Sequence, residues 1–377
     1  MKYTEPYEIN SLATKSIAWF RTSNTYVLLH PQTVDLIHQI NKGLSRRALL
    51  LWSATHLNLS SSQASKLMVS VIDLLEQLSQ PKNTQALAHS IVQSPKEFKT
   101  VRYYQLNTKI IKASFQTEAL EFLIHPKLAH ISVAPTQENH HFEVYHDKQH
   151  IFLKVDGQFI EQWPASEVHY FQGKFSMKMI EQLYELDESE WMGVFHATAM
   201  SNGTSTLLFA GDSGSGKSTL AALLLAKGYQ LWADDFVPVS VTPPLTYHFP
   251  AAISIKEKAV PILKSLFPDL EKAHLFHLKE LNKHVRYLPA PELAKGTTPS
   301  LPCKAIVFIK YKASATHQLE KMTQEDAFQR LIPDSWLSPE PENAHQFMQW
   351  FAQMPCYQLT YSDTELMYQT VHELFNL

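Results

Sequence analysis

The stretch Gly211-Asp212-Ser213-Gly214-Ser215-Gly216-Lys217-Ser218-Thr219 fits G-x-x-x-x-G-K-[ST], and it constrains this chain more than any other run of its 377 residues. The chain carries only ten glycines, where average usage of about 7% would give roughly twenty-six. Three of them within six residues mark a backbone that must turn where side chains would obstruct it. An apolar strand, Thr204 to Ala210, leads in. A helix rich in Ala and Leu, Ser218 to Lys227, leads out and closes at Gly228 in the C′ position. Glycines there let backbone N–H groups face phosphate oxygens, and the helix adds its positive N-terminal end. Within such a loop Lys217 neutralises the β- and γ-phosphates and Ser218 can ligate Mg²⁺, with residues 211–219 together as the cradle. The plain alternative is a glycine turn that opens a helix.

The next strand, Tyr229 to Ala233, ends in Asp234-Asp235. In a strand–helix–strand unit with a right-handed crossover both strands are parallel and end at one edge of the sheet. Ligands bind at that carboxyl edge. Both carboxylates are therefore expected beside the phosphates, one to hold Mg²⁺ and the other to accept a proton from an attacking hydroxyl. Solvated charge after a strand is the alternative. A two-residue turn at Asn202-Gly203 would set His196 opposite Phe209, beside the base of the loop. There an imidazole could contact phosphate or assist proton transfer; a histidine hydrogen-bonded in the sheet is the other reading.

Composition removes several classes. With 45% hydrophobic and 18% charged residues and a net charge of -3, the chain is neither disordered nor low in complexity. Its 33 basic and 36 acidic residues and pI near 6.7 argue against a nucleic-acid partner. Two cysteines cannot build a disulfide framework. Met1 to Asn10 is polar, and no apolar run approaches the ~20 residues of a membrane span. The expectation is a cytoplasmic protein without a membrane partner. Among nineteen histidines, His140, His141, His146 and His150 show no metal-ligand spacing and read as hairpin surface.

Residues 18–30 look extended. Apolar positions at helical spacing follow in three stretches: from Val34, over Arg46 to Thr55, and after an N-cap among Ser60, Ser61 and Ser62. This predicts a small α+β module over 1–80, then a linker over 81–99 with at most one short helix. From Val101 the period becomes two, with strands at 101–116, 142–146, 150–155 and 158–163, and a helix at Phe175 to Leu186. Trp191 to Met200 reads as one strand. Residues 100–377 thus form the larger domain: a β-rich part (100–189), a nucleotide-binding core (190–310) and a C-terminal α/β extension (311–377). Residues 333–345 read as a polar, Pro-rich loop.

His196, Gly211 to Thr219, Gly228 and Ala233-Asp234-Asp235 resemble the catalytic core of HPr kinase/phosphorylase and of the HPr-kinase-related kinases. The spacings fit as well, fifteen from His196 to Gly211 and eighteen from Lys217 to Asp235. A looser likeness runs through Phe249-Pro-Ala-Ala-Ile-Ser-Ile-Lys256-Glu257 and Arg286-Tyr-Leu-Pro to Ala305-Ile-Val-Phe-Ile-Lys310, and it suits the related-kinase branch better. The resemblance implies an α/β P-loop kinase core of the HPr kinase/PEP carboxykinase type with a mixed sheet. It implies active-site roles for His196 and Lys217, Mg²⁺ at Ser218 and proton acceptance at Asp235, which leaves Asp234 for the metal. The glycine-rich segment with a Mg²⁺-binding glutamate that HPr kinase carries is not recognisable. Glu257 is the nearest candidate, with a surface carboxylate as the alternative. Only Arg286 and Arg330 follow the phosphate loop, so a transition-state arginine would be Arg286, unless it is surface charge.

The first eighty residues, with Leu29-His-Pro-Gln-Thr-Val before the first helix, look like the PqqD-type peptide-binding fold. That fold holds leader peptides by adding a strand to a sheet edge. A winged-helix or docking module is the plainer reading. Together these features lead to an ATP–Mg²⁺-dependent kinase that phosphorylates a hydroxyl, foremost Ser/Thr of a peptide or protein, with a leader-bearing peptide as one such partner. Two alternatives stay open: a small-molecule kinase acting on an amino acid or sugar, and a nucleotide-gated binding or assembly protein. HPr kinase itself is a hexamer and related proteins need not be, so the oligomeric state is open too.

Overall fold

Alternating apolar residues at the start of the chain build a small antiparallel sheet in the order β1 (Glu8–Ser11), β2 (Ser16–Phe20), β3 (Thr25–Leu29). The computed structural model describes residues 8–81, 94–147, 149–278 and 283–377. Asn24 takes a left-handed φ of 44° in the β2–β3 turn, and its Oδ1 accepts from the Trp19 indole at 2.8 Å. Three helices follow. Pro31 opens α1 (Pro31–Asn41), Ser45 caps α2 (Arg46–His56), and Ser60 with Gln63 forms a capping box on α3 (Ser61–Leu78). Leu36, Ile37, Met68, Val71 and Leu75 face inward as the core. Most of the expected linker, residues 82–93 with its short helix, lies outside the described residues.

The chain divides into two compact units, and the first takes in residues 321–356 as well as the N-terminal residues. The expected unbroken extension over 311–377 is therefore split. Helix α8 (Gln324–Leu331), the short strand β21 (Trp336–Leu337) and α9 (Pro341–Gln353) belong to this unit. Helix α9 already starts inside the stretch read as a loop. Tyr26 and Phe347 meet edge-on with ring centroids 5.2 Å apart. Glu325 is buried, and its Oε1 accepts from the Thr14 amide at 2.7 Å, the Thr14 hydroxyl at 3.0 Å and the Lys15 amide at 3.3 Å.

The second unit, 89–320 with 357–377, is mixed α/β. One mixed sheet has the order β6 (Ser132–Val133), β4 (Thr100–Leu106), β5 (Lys109–Phe115), β7 (His140–His146), β8 (His150–Val155), β9 (Gln158–Pro164), with β5 and β7 parallel. Helices α4 (Glu118–Leu128) and α5 (Val168–Tyr184) accompany it. The four histidines of 140–150 lie on the β7–β8 hairpin, where His140 pairs with Asp156 at 2.9 Å.

A second mixed sheet carries the glycine loop. Its order runs β13 (Gln230–Asp234), β11 (Thr198–Ser201), β12 (Thr206–Ala210), β19 (Ser300–Tyr311), β15 (Leu245–Tyr247), β14 (Val237–Ser240), β10 (Trp191–Phe195). Strand β22 (Cys356–Tyr361) also pairs with β19, and β20 (Gln318–Lys321) with β22. Helix α6 (Lys217–Ala226) is buried on nearly every side, with Leu220, Ala221, Ala222 and Leu224 at 0–1% exposure. It packs among Leu207 and Phe209, the inward face of a small sheet β16 (Ile253–Lys256), β18 (Lys283–Leu288), β17 (Phe276–Leu278), the short α7 (Val260–Leu263) and α10 (Thr364–Asn376).

Two expectations change here. The single strand Trp191 to Met200 is broken at His196-Ala197, so β10 pairs with β14 while β11 pairs with β12 and β13. The β11–β12 turn has four residues instead of two, because Asn202 Oδ1 gathers the Thr204 and Ser205 amides, both at 3.0 Å. Thr198, not His196, therefore faces Phe209.

Replacing Glu325 should show what ties the distant segment to the first unit. Glu325→Ala leaves three donors without their charged acceptor and should cost about 1.5–3 kcal/mol by urea denaturation of the full chain. Burial raises the Glu325 carboxyl, yet its hydrogen bonds from Thr14 and Lys15 outweigh that and hold it below the ordinary range. The contribution is thus present above the unfolded carboxyl's pKa of about 4 and is lost as pH falls below it. The wild-type advantage should shrink in acid.

Candidate active site

The glycine loop owes its shape to backbone conformations that residues with a Cβ rarely adopt. Gly211, Gly214 and Gly216 have φ of 143°, 91° and 106°. A Cβ on Gly211 would stand 2.9 Å from Ser215 Oγ and 3.0 Å from the Ile309 carbonyl. The loop is held by the Ser215 amide on the Asp212 carbonyl at 3.0 Å and the Tyr311 amide on the Ser215 carbonyl at 3.1 Å. Gly216 stands at the N-cap of α6, where no side chain caps the first turn. Lys217 is buried, and its Nζ donates to the Gly211 carbonyl at 2.5 Å. Ser215 Oγ is buried without a hydrogen-bond partner. Ser218 and Thr219 occupy the first turn of α6.

The Asp pair lies level with this loop. Thr198 on β11 faces Phe209 of β12 on one side and Asp234 of β13 on the other. Both pairings are antiparallel, so β12 and β13 run parallel with β11 between them, about 10 Å apart at ordinary strand spacing. Parallel strands ending at one edge were expected; the strand inserted between them was not.

The two carboxylates differ. Asp234 is buried, and its Oδ1 accepts from the Thr198 hydroxyl at 2.5 Å, while its Oδ2 is buried without a hydrogen-bond partner. Burial, and then the neighbouring Asp235 charge, push the Asp234 carboxyl up to about 7. Asp235 takes a left-handed φ of 62° just past the strand, a conformation worth about 1–2 kcal/mol of strain for a residue with a Cβ. Burial raises its carboxyl too, but the Lys127 ammonium, with His196 and Lys217, outweighs this and holds Asp235 below the usual carboxylate range. Lys127 Nζ lies 3.4 Å from Asp235 Oδ2. Tyr287 stands in the same cluster, within electrostatic reach of Lys127 and Asp235, and its phenol is pushed up by burial.

The structure thus brings His196, Lys217, Asp234 and Asp235 together, although His196 arrives from the bend between β10 and β11, not from strand register. It does not bring Glu257 and Arg286 there. In the β16–β18 ladder Ser254 pairs with Tyr287 and Ile255 with Arg286, so Tyr287 and Arg286 face opposite sides. Tyr287 turns to the Asp pair. Arg286 donates to the Ala273 carbonyl and lies 3.9 Å from Glu257, whose side chain is 53% exposed. Lys127 and Tyr287 escaped sequence reading because nothing in the loop's spacing points to either.

Among the described residues no group of three or more His, Cys, Asp or Glu could hold a metal ion. A hydroxyl at Ser218 and the free, buried Oδ2 of Asp234 suit Mg²⁺ better, since that ion keeps several waters and takes substrate phosphates. Compared with protein-family models and with curated proteins, the chain matches none of them. No helix among the described residues is long and apolar enough to cross a membrane.

Asp234 makes a sharp pH test. Its native carboxyl keeps a proton that the unfolded chain releases near pH 4, so stability falls as pH rises from about 4 toward 7. Asp234→Asn preserves the acceptor for Thr198 without the charge. It should be more stable than wild type at pH 8, by about 1–3 kcal/mol, with the gap closing near pH 4.5 in urea titrations. Gly211→Ala should cost about 1–3 kcal/mol, since the Ile309 carbonyl is backbone and cannot rotate away.

Proposed function

We propose that this chain is an ATP–Mg²⁺-dependent kinase of the HPr-kinase-related type that transfers the γ-phosphoryl group to a hydroxyl, foremost Ser/Thr of a peptide or protein. The observation that carries this reading is the meeting of Lys217, His196 and Asp235 at one sheet edge, with Asp235 kept ionised in a left-handed turn. The uncapped first turn of α6 and the unpartnered Ser215 hydroxyl support the cradle function of residues 211–219.

Under this reading Lys217 exchanges the Gly211 carbonyl for phosphate oxygens, and the loop amides fix the β- and γ-phosphates. Ser218 and Asp234 would hold Mg²⁺, which neutralises charge on the phosphate oxygens when bound. The acceptor hydroxyl oxygen bonds to the γ-phosphorus, the bond from that phosphorus to the bridging oxygen breaks, and ADP departs. The hydroxyl proton passes to Asp235, a carboxylate already ionised at neutral pH. His196 contacts the phosphates from the β10–β11 bend. Catalysis is then positioning and charge neutralisation. Glu257 and Arg286 take no part. The edge of the β1–β3 sheet favours a peptide acceptor, because an extended segment can add to it as a strand in the PqqD manner.

Asp235→Asn should lower phosphotransfer by about 10²–10⁴-fold while ATP still binds. Lys217→Ala should weaken ATP binding as well as turnover. Labelled ATP with lysate, or with peptides encoded beside the gene, reads out transfer, and calorimetry reads out binding. Normal transfer by Asp235→Asn removes the base assignment, and wild-type protein that binds no nucleotide removes the whole reading.

A further inference from the structure

The geometry points to Lys127 as the second cation of the phosphoryl-transfer site, a residue that contacts the transferring γ-phosphoryl oxygens from the side opposite Lys217. This rests on the kinase reading above. Lys127 comes ninety residues before Lys217, from the last turn of α4. Its helix is clamped in place. Arg102 Nε donates to Glu121 at 2.6 Å, Tyr104 and His125 share a hydrogen bond of 3.1 Å, and Gln172 donates to the Leu123 carbonyl at 2.7 Å. The Lys127 carbonyl lies in the last turn, outside the helical ladder, and accepts from the Ala252 amide at 2.9 Å. That bond ties α4 to the segment just before β16, whose Ser254 pairs with Tyr287.

Charge arithmetic gives the ammonium its task. Two carboxylates, Asp234 and Asp235, stand where a γ-phosphate must arrive, and phosphoryl transfer spreads negative charge over that group's oxygens. The groups facing Asp235 are Lys127 from α4, His196 from the β10–β11 bend, Lys217 from α6, Asp234 from β13 and Tyr287 from β18. Lys217 belongs to the loop, and Arg286 faces away. Lys127 brings a permanent cation to this cluster from outside the loop. Its contact with Asp235 does little for folding, because the two side chains are 38% and 32% exposed and such pairs contribute about 0–1 kcal/mol. Against charge that develops in the transition state the same ammonium is worth far more, since removing one preorganised group of this kind costs about 10²–10³-fold in rate. As the acceptor hydroxyl takes its place on Asp235, Lys127 shifts onto the phosphoryl oxygens without leaving the cluster.

The test uses the full chain with Mg²⁺ and two ligands: ADP, and ADP with aluminium fluoride, which mimics the phosphoryl group in transfer. Lys127→Met should bind ADP within about 3-fold of wild type but bind ADP–aluminium fluoride about 10²-fold or more weakly, with a similar loss in kcat. Lys127→Arg should recover at least tenfold of the analogue affinity, which a merely structural side chain would not. Thermal midpoints of the variants should match wild type; if Lys127→Met lowers its midpoint, Lys127→Gln, which keeps length and polarity, decides instead. Analogue binding by the uncharged variant as tight as wild type overturns the role of Lys127 and leaves the kinase reading intact. Wild-type protein that binds neither ligand overturns both.

Discussion

Thr198 faces Phe209 on one side and Asp234 on the other, and this two-sided register is what the rest of the site depends on. It aligns the end of β12, where the glycine loop begins, with the end of β13, where the Asp pair begins. The Thr198 hydroxyl then fixes Asp234 Oδ1, which leaves Oδ2 facing the interior without a partner. A slip of one residue in this central strand would turn every one of its side chains to the other face. The four-residue Asn202 turn sets the register through local bonds that its Oδ1 accepts from the amides and hydroxyls of Thr204 and Ser205, so a short polar loop at the other end of β11 governs how the site is assembled.

From that register follows the division of labour between the carboxylates. Side by side, they cannot both be ionised at low cost. Burial and then the neighbouring Asp235 charge raise Asp234, more than Thr198 and Lys127 lower it, whereas the left-handed turn swings Asp235 toward Lys127, His196 and Lys217, which lower it. Paired groups driven apart by their surroundings are how one site assigns two roles to one side-chain type. The turn at Asp235 is therefore the device that separates two chemically identical neighbours.

Much of this was legible in the chain. The loop follows from glycine spacing between an apolar strand and an Ala- and Leu-rich helix, and the parallel course of β12 and β13 from the crossover such a helix imposes. Helices α1 to α3 follow from apolar period, with Pro31 opening α1 and serine caps on α2 and α3. What escaped reading depends on contacts between distant residues. Nothing near Lys127 in sequence refers to Asp235, because the bond that places it, Ala252 to the Lys127 carbonyl, joins backbone to backbone. Arg286 stands out in the sequence as one of only two arginines after the loop, yet strand alternation turns its neighbour Tyr287 to the site. Residues 321–356 join the first unit through Glu325 and Phe347, whose partners Thr14, Lys15 and Tyr26 lie some three hundred residues earlier.

The site's costs also show which residues can change freely. Asp235 in a left-handed conformation, Asp234 with an unpaired buried oxygen and an α6 terminus without a side-chain cap each lower stability by an amount on the order of 1 kcal/mol or more. Helix α6 can sustain them because it is buried against strands on one side and against β16, α7 and α10 on the others. Each Leu or Val side chain removed from water there contributes about 1.5–3 kcal/mol. The helix is thereby fixed rigidly enough that its first turn keeps one geometry. A loop so supported tolerates no Cβ at Gly211, where backbone crowds it, but Gly214, with nothing within 4 Å, is limited only by its φ. Identity at Gly211 is thus enforced by packing, and at Gly214 by backbone conformation alone.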